Sequence, residues 1–166
     1  MNHTVDSNQA PLHPSVRRVV EALAAHGIQD RVQILTEATH TSQAAADYLG
    51  CDVAQIAKSV IFRAKQTERC VLVIASGRNR VDEKLIAAAL GEPLGKADAD
   101  FVRDKTGFVI GGVAPVGHLE PPATFIDADL FRHAEIWAAA GMPNTLFRLT
   151  PDELKRIAPG PVLSIS

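Results

Sequence analysis

Two β-rich runs, Ser59–Arg63 and Cys70–Ala75, constrain this chain more than any other feature. The polar stretch between them suits a hairpin loop, so they are expected to be paired core strands. Helical signals surround them. Val16, Val19, Val20, Leu23 and Ala24 recur at helical spacing over Ser15–His26, with Gly27 as a stop. A strand is expected at Val32–Leu35 and a second helix over Ser42–Leu49, closed by Gly50. Asp52 and Gln55 resemble a capping box for a short turn leading to Lys58. Further helices are expected from Asp82 to Leu90 and from Asp98 to Lys105, with Gly91 and Gly107 behind them.

The C-terminal part has a different texture. Phe108–Ile110, Thr124–Ile126, Ile136–Ala138 and Thr145–Leu149 are short strand candidates separated by Gly and Pro. Thr150, Pro151 and Glu153 supply an N-cap, a first-turn proline and a capping-box acid for a helix to Ile157. There is no internal repeat and no linker. The 166 residues, 46% hydrophobic, fit one α/β domain over 15–166, with one mixed, curled, barrel-like sheet and helices packed outside. Residues 1–14 read as a flexible tail.

A chain of this length buries about 70% of its unfolded surface and needs no staple. Cys51 and Cys70 form no disulfide framework and read as inert, half-buried thiols in a reducing compartment. The net charge of −2 argues against a nonspecific nucleic-acid coat or an anionic-membrane binder, while leaving contact with a few phosphates open. No apolar run approaches the roughly 20 residues that span a bilayer, and Met1–Leu12 lacks the apolar region of a secretory signal. The expected location is cytoplasmic.

Familiar catalytic signatures are absent: no nucleophile elbow, no H-E-x-x-H and no complete phosphate loop. Lys58-Ser59 imitates the end of a phosphate loop, but Ala57 stands where glycine is needed. Asp104–Gly107 matches the phosphorylated tetrapeptide of ion pumps, in a chain too short to be one. The six histidines make no i, i+4 pair and join no cysteine at zinc spacing, so no metal or cofactor is expected. Ser59 and Ser76 have no visible base, and the plain reading of both is a strand end or turn.

Gly107–His118 stands out, with Gly107, Gly111, Gly112, Pro115 and Gly117 in one short stretch. Such a loop permits close approach to a ligand and leaves amide N–H groups for an anion; equally, it is a bend between two strands. Lys58, among Ile56, Ala57, Val60 and Ile61, either reaches a phosphate or carboxylate or snorkels at a strand start. Asp127 and Asp129 either position an amine or form a turn. Trp137–Asn144 is a pocket wall or tight packing.

Several segments together resemble the YbaK/ProX aminoacyl-tRNA deacylase family, related to the editing insertion of bacterial prolyl-tRNA synthetases. They are Thr41–Ala46, Leu49-Gly50, Ile56–Phe62 around Lys58, Gly107–Gly117 and Thr124–Asp127. The resemblance covers about Val32 to Ile157. It implies the YbaK-like fold and hydrolysis of the ester between a wrong amino acid and the 3′ end of tRNA, acting in trans and without metal, helped by a ribose hydroxyl. Its implied partners are the acceptor end of a mischarged tRNA, with tRNA(Pro) one candidate, and an aminoacyl-tRNA synthetase, but no DNA and no membrane.

By resemblance, Lys58 holds the terminal adenosine and its phosphate, and the Gly111-Gly112 backbone cradles the oxyanion. Pro115, Gly117, His118, Asp127, Gly141 and Asn144 are the further substrate-binding candidates, and small residues around Ala138–Gly141 line an amino-acid pocket. The chain departs from the Cys-tRNA(Pro) branch at Ala139 and Leu146, where that branch has a serine and an aspartate. It departs from the alanine branch at Met142-Pro143-Asn144, where a His-Pro pair is expected. The alternatives are a noncatalytic module binding an aminoacylated end or a synthetase, and a small-ester or amide hydrolase on the same scaffold.

Overall fold

Strand β4 (Cys70–Ser76) is buried at every position, and the larger sheet is built around it. Its unbroken apolar run suits a strand covered on both faces. The computed structural model describes residues 2–4 and 12–166; the tail expected over 1–14 lies outside the described residues at 1 and 5–11. Strand β3 (Ala57–Ala64) pairs antiparallel with β4 from Ala57↔Ser76 to Arg63↔Cys70. Strand β5 (Leu94–Lys96) takes the free edge of β3, and β6 (Ala123–Asp127) runs parallel to β4, followed by β9 (Val162–Leu163). The order is therefore β5-β3-β4-β6-β9.

A second sheet has the order β1-β2-β8-β7, from β1 (Asn2–Thr4), β2 (Val32–Leu35), β7 (Ile136–Ala139) and β8 (Thr145–Leu149). The fold is thus mixed α/β as expected, but its strands form two sheets rather than one, and they do not close into a barrel. Between the sheets stands an isolated bridge, Ile56↔Trp137. The reason is local. Asp52 and Gln55 close a capping box on the 3-10 turn Val53–Gln55, which delivers the chain to the seam at Ile56 before β3 leaves to pair with β4 and β5.

Helix α1 (Pro14–Ala25) starts with proline at its first turn and buries Val16, Val19 and Leu23 in the main core, at the expected spacing. Truncating Leu23 to Ala there costs about 2–5 kcal/mol. Thr41 caps α2 (Ser42–Leu49), Asp82 caps α3 (Glu83–Leu90), Asp98 caps α4 (Ala99–Thr106), and a Thr150/Glu153 box caps α5 (Pro151–Ile157). Each cap satisfies amides that the first helical turn leaves orphaned.

The larger sheet separates two cores. Leu72, Ile74 and Ile126 face the core shared with α1 and the second sheet, while Val71, Val73, Ala75 and Phe125 pack with Ile86 of α3. Cys70 is buried, which pushes its thiol up to about 11; burial also raises Cys51.

One strand candidate fails. Phe108–Ile110 is a loop: Gly107 is left-handed with φ 79°, Phe108 drops into the core, and the Gly112 N–H closes a turn on the Val109 carbonyl at 3.0 Å. Val109 and Ile110 are left exposed on that turn.

Candidate active site

A cavity of about 730 Å³ opens where the two sheets part. The start of β3 supplies Lys58 and Ser59, and the turn after β4 supplies Gly77 and Arg78. The segment Thr39–Gln43, leading into α2, forms one rim, and Ile110-Gly111 and Pro143 form another. Ala139 and Leu146, directly paired across β7 and β8, provide an apolar wall with Val113. Lys58 and Gly111 therefore line one cavity, although they stand 53 positions apart in the chain.

Lys58 is half-buried. Burial pulls its proton affinity below the ordinary lysine value; the charge of Asp127 opposes this and that of Arg80 adds to it. None of the ion pairs of the described residues involves Lys58. Its ammonium is available to a ligand.

The two glycines of the pair Gly111-Gly112 have different jobs. Gly111 lines the cavity with φ 91°, a left-handed angle that favours glycine, and no hydrogen bond to its amide is formed among the described residues. Gly112 does not line the cavity. Its amide is committed to Val109, and a Cβ there would sit 2.7 Å from the Met142 Cα, so glycine is needed for close packing of two loops.

The remaining expected site residues lie behind the walls. Pro115 is buried outside the cavity lining. The Gly117 carbonyl accepts from Arg18 Nε at 3.0 Å. His118 has one ring nitrogen 2.6 Å from the Ala114 carbonyl, meets Phe108 edge-on, and leaves Nδ1 buried without a partner among the described residues. Gly141 packs on α1, where a Cβ would meet the Ser15 carbonyl at 2.8 Å. Asn144 ties its turn to β2, through Nδ2 to the Leu35 carbonyl and through its own carbonyl to the Leu35 amide. Of the small residues over Ala138–Gly141, Ala139 reaches the cavity, whereas Ala138 and Ala140 belong to the core.

Asp127 is 1% exposed and accepts from the Ser76 amide, Asn79 Nδ2 and the Asp129 amide, each at 2.9 Å. It holds the Ser76–Asn79 turn from behind rather than touching the cavity. Asp129 shares Asn79 Nδ2 at 2.8 Å.

Gly77, Arg78 and the Thr39–Gln43 rim were not singled out as site residues by sequence. A Cβ on Gly77 would meet the Val53 carbonyl at 2.5 Å, and the Gly77 amide bonds the Ile56 carbonyl at 2.7 Å. The signal that could have flagged it is a glycine and an arginine directly after the most apolar strand. Among the described residues no group of three or more His, Cys, Asp or Glu side chains converges.

The chain belongs to the aminoacyl-tRNA editing domain family, whose model matches residues 36–157. Over 118 residues, 71% of this chain and 74% of the relative, it is 31% identical to the uncharacterized protein YwhH of Bacillus subtilis (strain 168). A 99-residue match, 57% of this chain, is 32% identical to a segment making up 17% of a proline–tRNA ligase of Limosilactobacillus fermentum (strain NBRC 3956 / LMG 18251). The fold superposes with a TM-score of 0.86 on a crystal structure described as a candidate trans-editing enzyme for prolyl tRNA synthetase. That protein is 40% identical, and the match covers 94% of this chain and 99% of the other. No helix among the described residues is long and apolar enough to cross a membrane.

Proposed function

We propose that this protein is a trans-acting aminoacyl-tRNA deacylase, which hydrolyses the ester between a wrong amino acid and the 3′-terminal ribose of tRNA. The observation that carries the reading is Lys58 and Gly111 lining one cavity in a chain of the editing-domain family. Ester hydrolysis passes through a tetrahedral oxyanion, and preorganised donors lower that barrier more than any other single device. The Gly111 amide, on the cavity lining and without a partner among the described residues, is the donor assigned to it; Gly112 contributes by seating the loop against Met142. Lys58 holds the adenosine end through its phosphate, and the substrate's own ribose hydroxyl orients the attacking water. No protein nucleophile is required for that sequence of events.

The aminoacyl group sits against Ala139, Leu146 and Val113, a wall with no side-chain hydrogen-bonding group. A wall of this kind favours a small apolar amino acid, and a hydrophobic pocket separates one methylene by about 1–3 kcal/mol. tRNA(Pro) is the first tRNA to test, and the cytoplasm is where such a substrate is met.

A second reading, a noncatalytic module for an aminoacylated end, is favoured by the commitment of the Gly112 amide to Val109, which leaves one fewer oxyanion donor. A panel of small amino acids esterified to several tRNAs, incubated with excess protein, separates the two. Loss of at least one ester supports the deacylase. Tight RNA binding with every ester intact supports the module, and tRNA-independent cleavage of simple esters points to a general hydrolase.

A further inference from the structure

The geometry points to a second cation for the phosphate assigned above to Lys58: Arg78, at the mouth of the same cavity, grips the phosphate on the 5′ side of the terminal adenosine together with Lys58. This rests on the deacylase reading for the identity of the ligand, and on charge and geometry for the site.

Charge is the first argument. The chain carries more acidic than basic residues, 19 against 17, yet no Asp or Glu lines the cavity among the described residues, whereas Lys58, Arg78 and His40 do. Arg80 is near enough to Lys58 for its charge to be felt there. A basic mouth on a mildly acidic protein focuses an anion on that opening. On the same lining, Thr41–Gln43 starts a helix with no acidic residue in its first turn.

The second argument is rigidity. Arg78 stands on a turn closed by the Asn79 amide on the Ser76 carbonyl at 2.9 Å and locked from behind by Asp127. Gly77 fixes the turn against Ile56 and Val53. The backbone beneath the guanidinium is therefore preorganised, while the side chain stays 63% exposed.

The third is the partner that Arg78 already has. Asp52 holds it at 2.6 Å, but both side chains are more than half exposed, and an exposed pair of this kind is weak. Asp52 also accepts the Ala54 amide at 2.9 Å, so it keeps a partner when Arg78 swings to a phosphate. A guanidinium pairs with two phosphate oxygens at once, which a lysine does not.

The test is binding of a non-hydrolysable amide, 3′-alanylamino-3′-deoxyadenosine, with and without a 5′-phosphate, measured by calorimetry. The phosphate is expected to tighten binding to the wild type about tenfold, in line with a charge-assisted contact. Arg78→Gln reduces that gain to about threefold or less, Arg78→Lys retains part of it, and Arg103→Gln, which removes an equal charge from α4, leaves it intact. A gain that survives Arg78→Gln, or falls equally in Arg103→Gln, overturns the subsite, as does failure of the wild type to bind either analogue. An Arg78-dependent gain in a protein that hydrolyses no mischarged tRNA keeps the subsite and removes the deacylase reading; hydrolysis with no Arg78 dependence does the reverse.

Discussion

The carboxylate of Asp127, at the end of β6, accepts the backbone amide of Ser76, at the end of β4, over 2.9 Å in a site closed to solvent. That bond, with those to Asn79 and Asp129, sets the position of the turn forming the Gly77-Arg78 wall. Asp127→Ala strands the Ser76 amide in the interior and is expected to cost about 2–4 kcal/mol, read by urea unfolding. Asp127→Asn keeps an acceptor oxygen and costs less. Equal stability of Asp127→Ala and wild type would remove the role assigned here.

Gly77 and Gly112 make a second prediction because neither has room for a Cβ. Gly77→Ala places a methyl against the Val53 carbonyl, and Gly112→Ala places one against the Met142 backbone. Each is expected to destabilise by about 1–3 kcal/mol, the usual cost of overpacking. Thermal unfolding checks both. Gly27→Ala is a useful contrast: nothing lies within 4 Å of its Cβ position, so any penalty there comes from its φ of 75°.

These glycines also show what was legible in the sequence. Caps depend on neighbours a few residues apart, so Asp52 with Gln55, Asp98, and Thr150 with Glu153 were readable before any tertiary contact was known. The β3–β4 pairing was readable for a similar reason. Phe108–Ile110 misled because an apolar triplet looks like a strand whether or not a partner strand lies beside it. Gly111 and Gly112 are neighbours with one composition, and only the approach of Met142 separates their roles. Gly141 and Asn144 were assigned to substrate, yet they serve contacts with α1 and β2 more than a hundred positions away, which no local pattern encodes.

Stability should fall in mild acid through His118. Burial lowers its proton affinity, so the unfolded chain takes up the proton more readily than the folded one. Its contribution is complete above the unfolded value of about 6.5 and is lost as the pH drops through the lower folded value. The urea midpoint is expected to decline over that window, and His118→Phe is expected to flatten the decline. An unchanged slope in the variant would show that another group is responsible.

At lower pH, Glu153 takes over. Its carboxylate pairs with Arg31 at 2.8 Å and accepts the Thr150 amide at 2.9 Å, and the Arg31 hydrogen bond is the main cause that holds it down at about 2. A folded value below the unfolded one of about 4.3 means stability present above that pH and lost on the way down to about 2. Glu153→Gln should remove this acid limb and, by weakening the α5 cap, cost about 1 kcal/mol at neutral pH. Unfolding curves between pH 5 and pH 2 are the check, on the order of the window just given.

The most direct test of the central claim is single-turnover hydrolysis of the mischarged tRNA that the panel identifies, comparing wild type with Lys58→Ala and Lys58→Arg. The account predicts a loss of roughly tenfold or more for Lys58→Ala, as expected for a charged contact to the phosphate, with part recovered in Lys58→Arg. Hydrolysis by Lys58→Ala at the wild-type rate, or survival of every ester in the presence of excess wild-type protein, would contradict it.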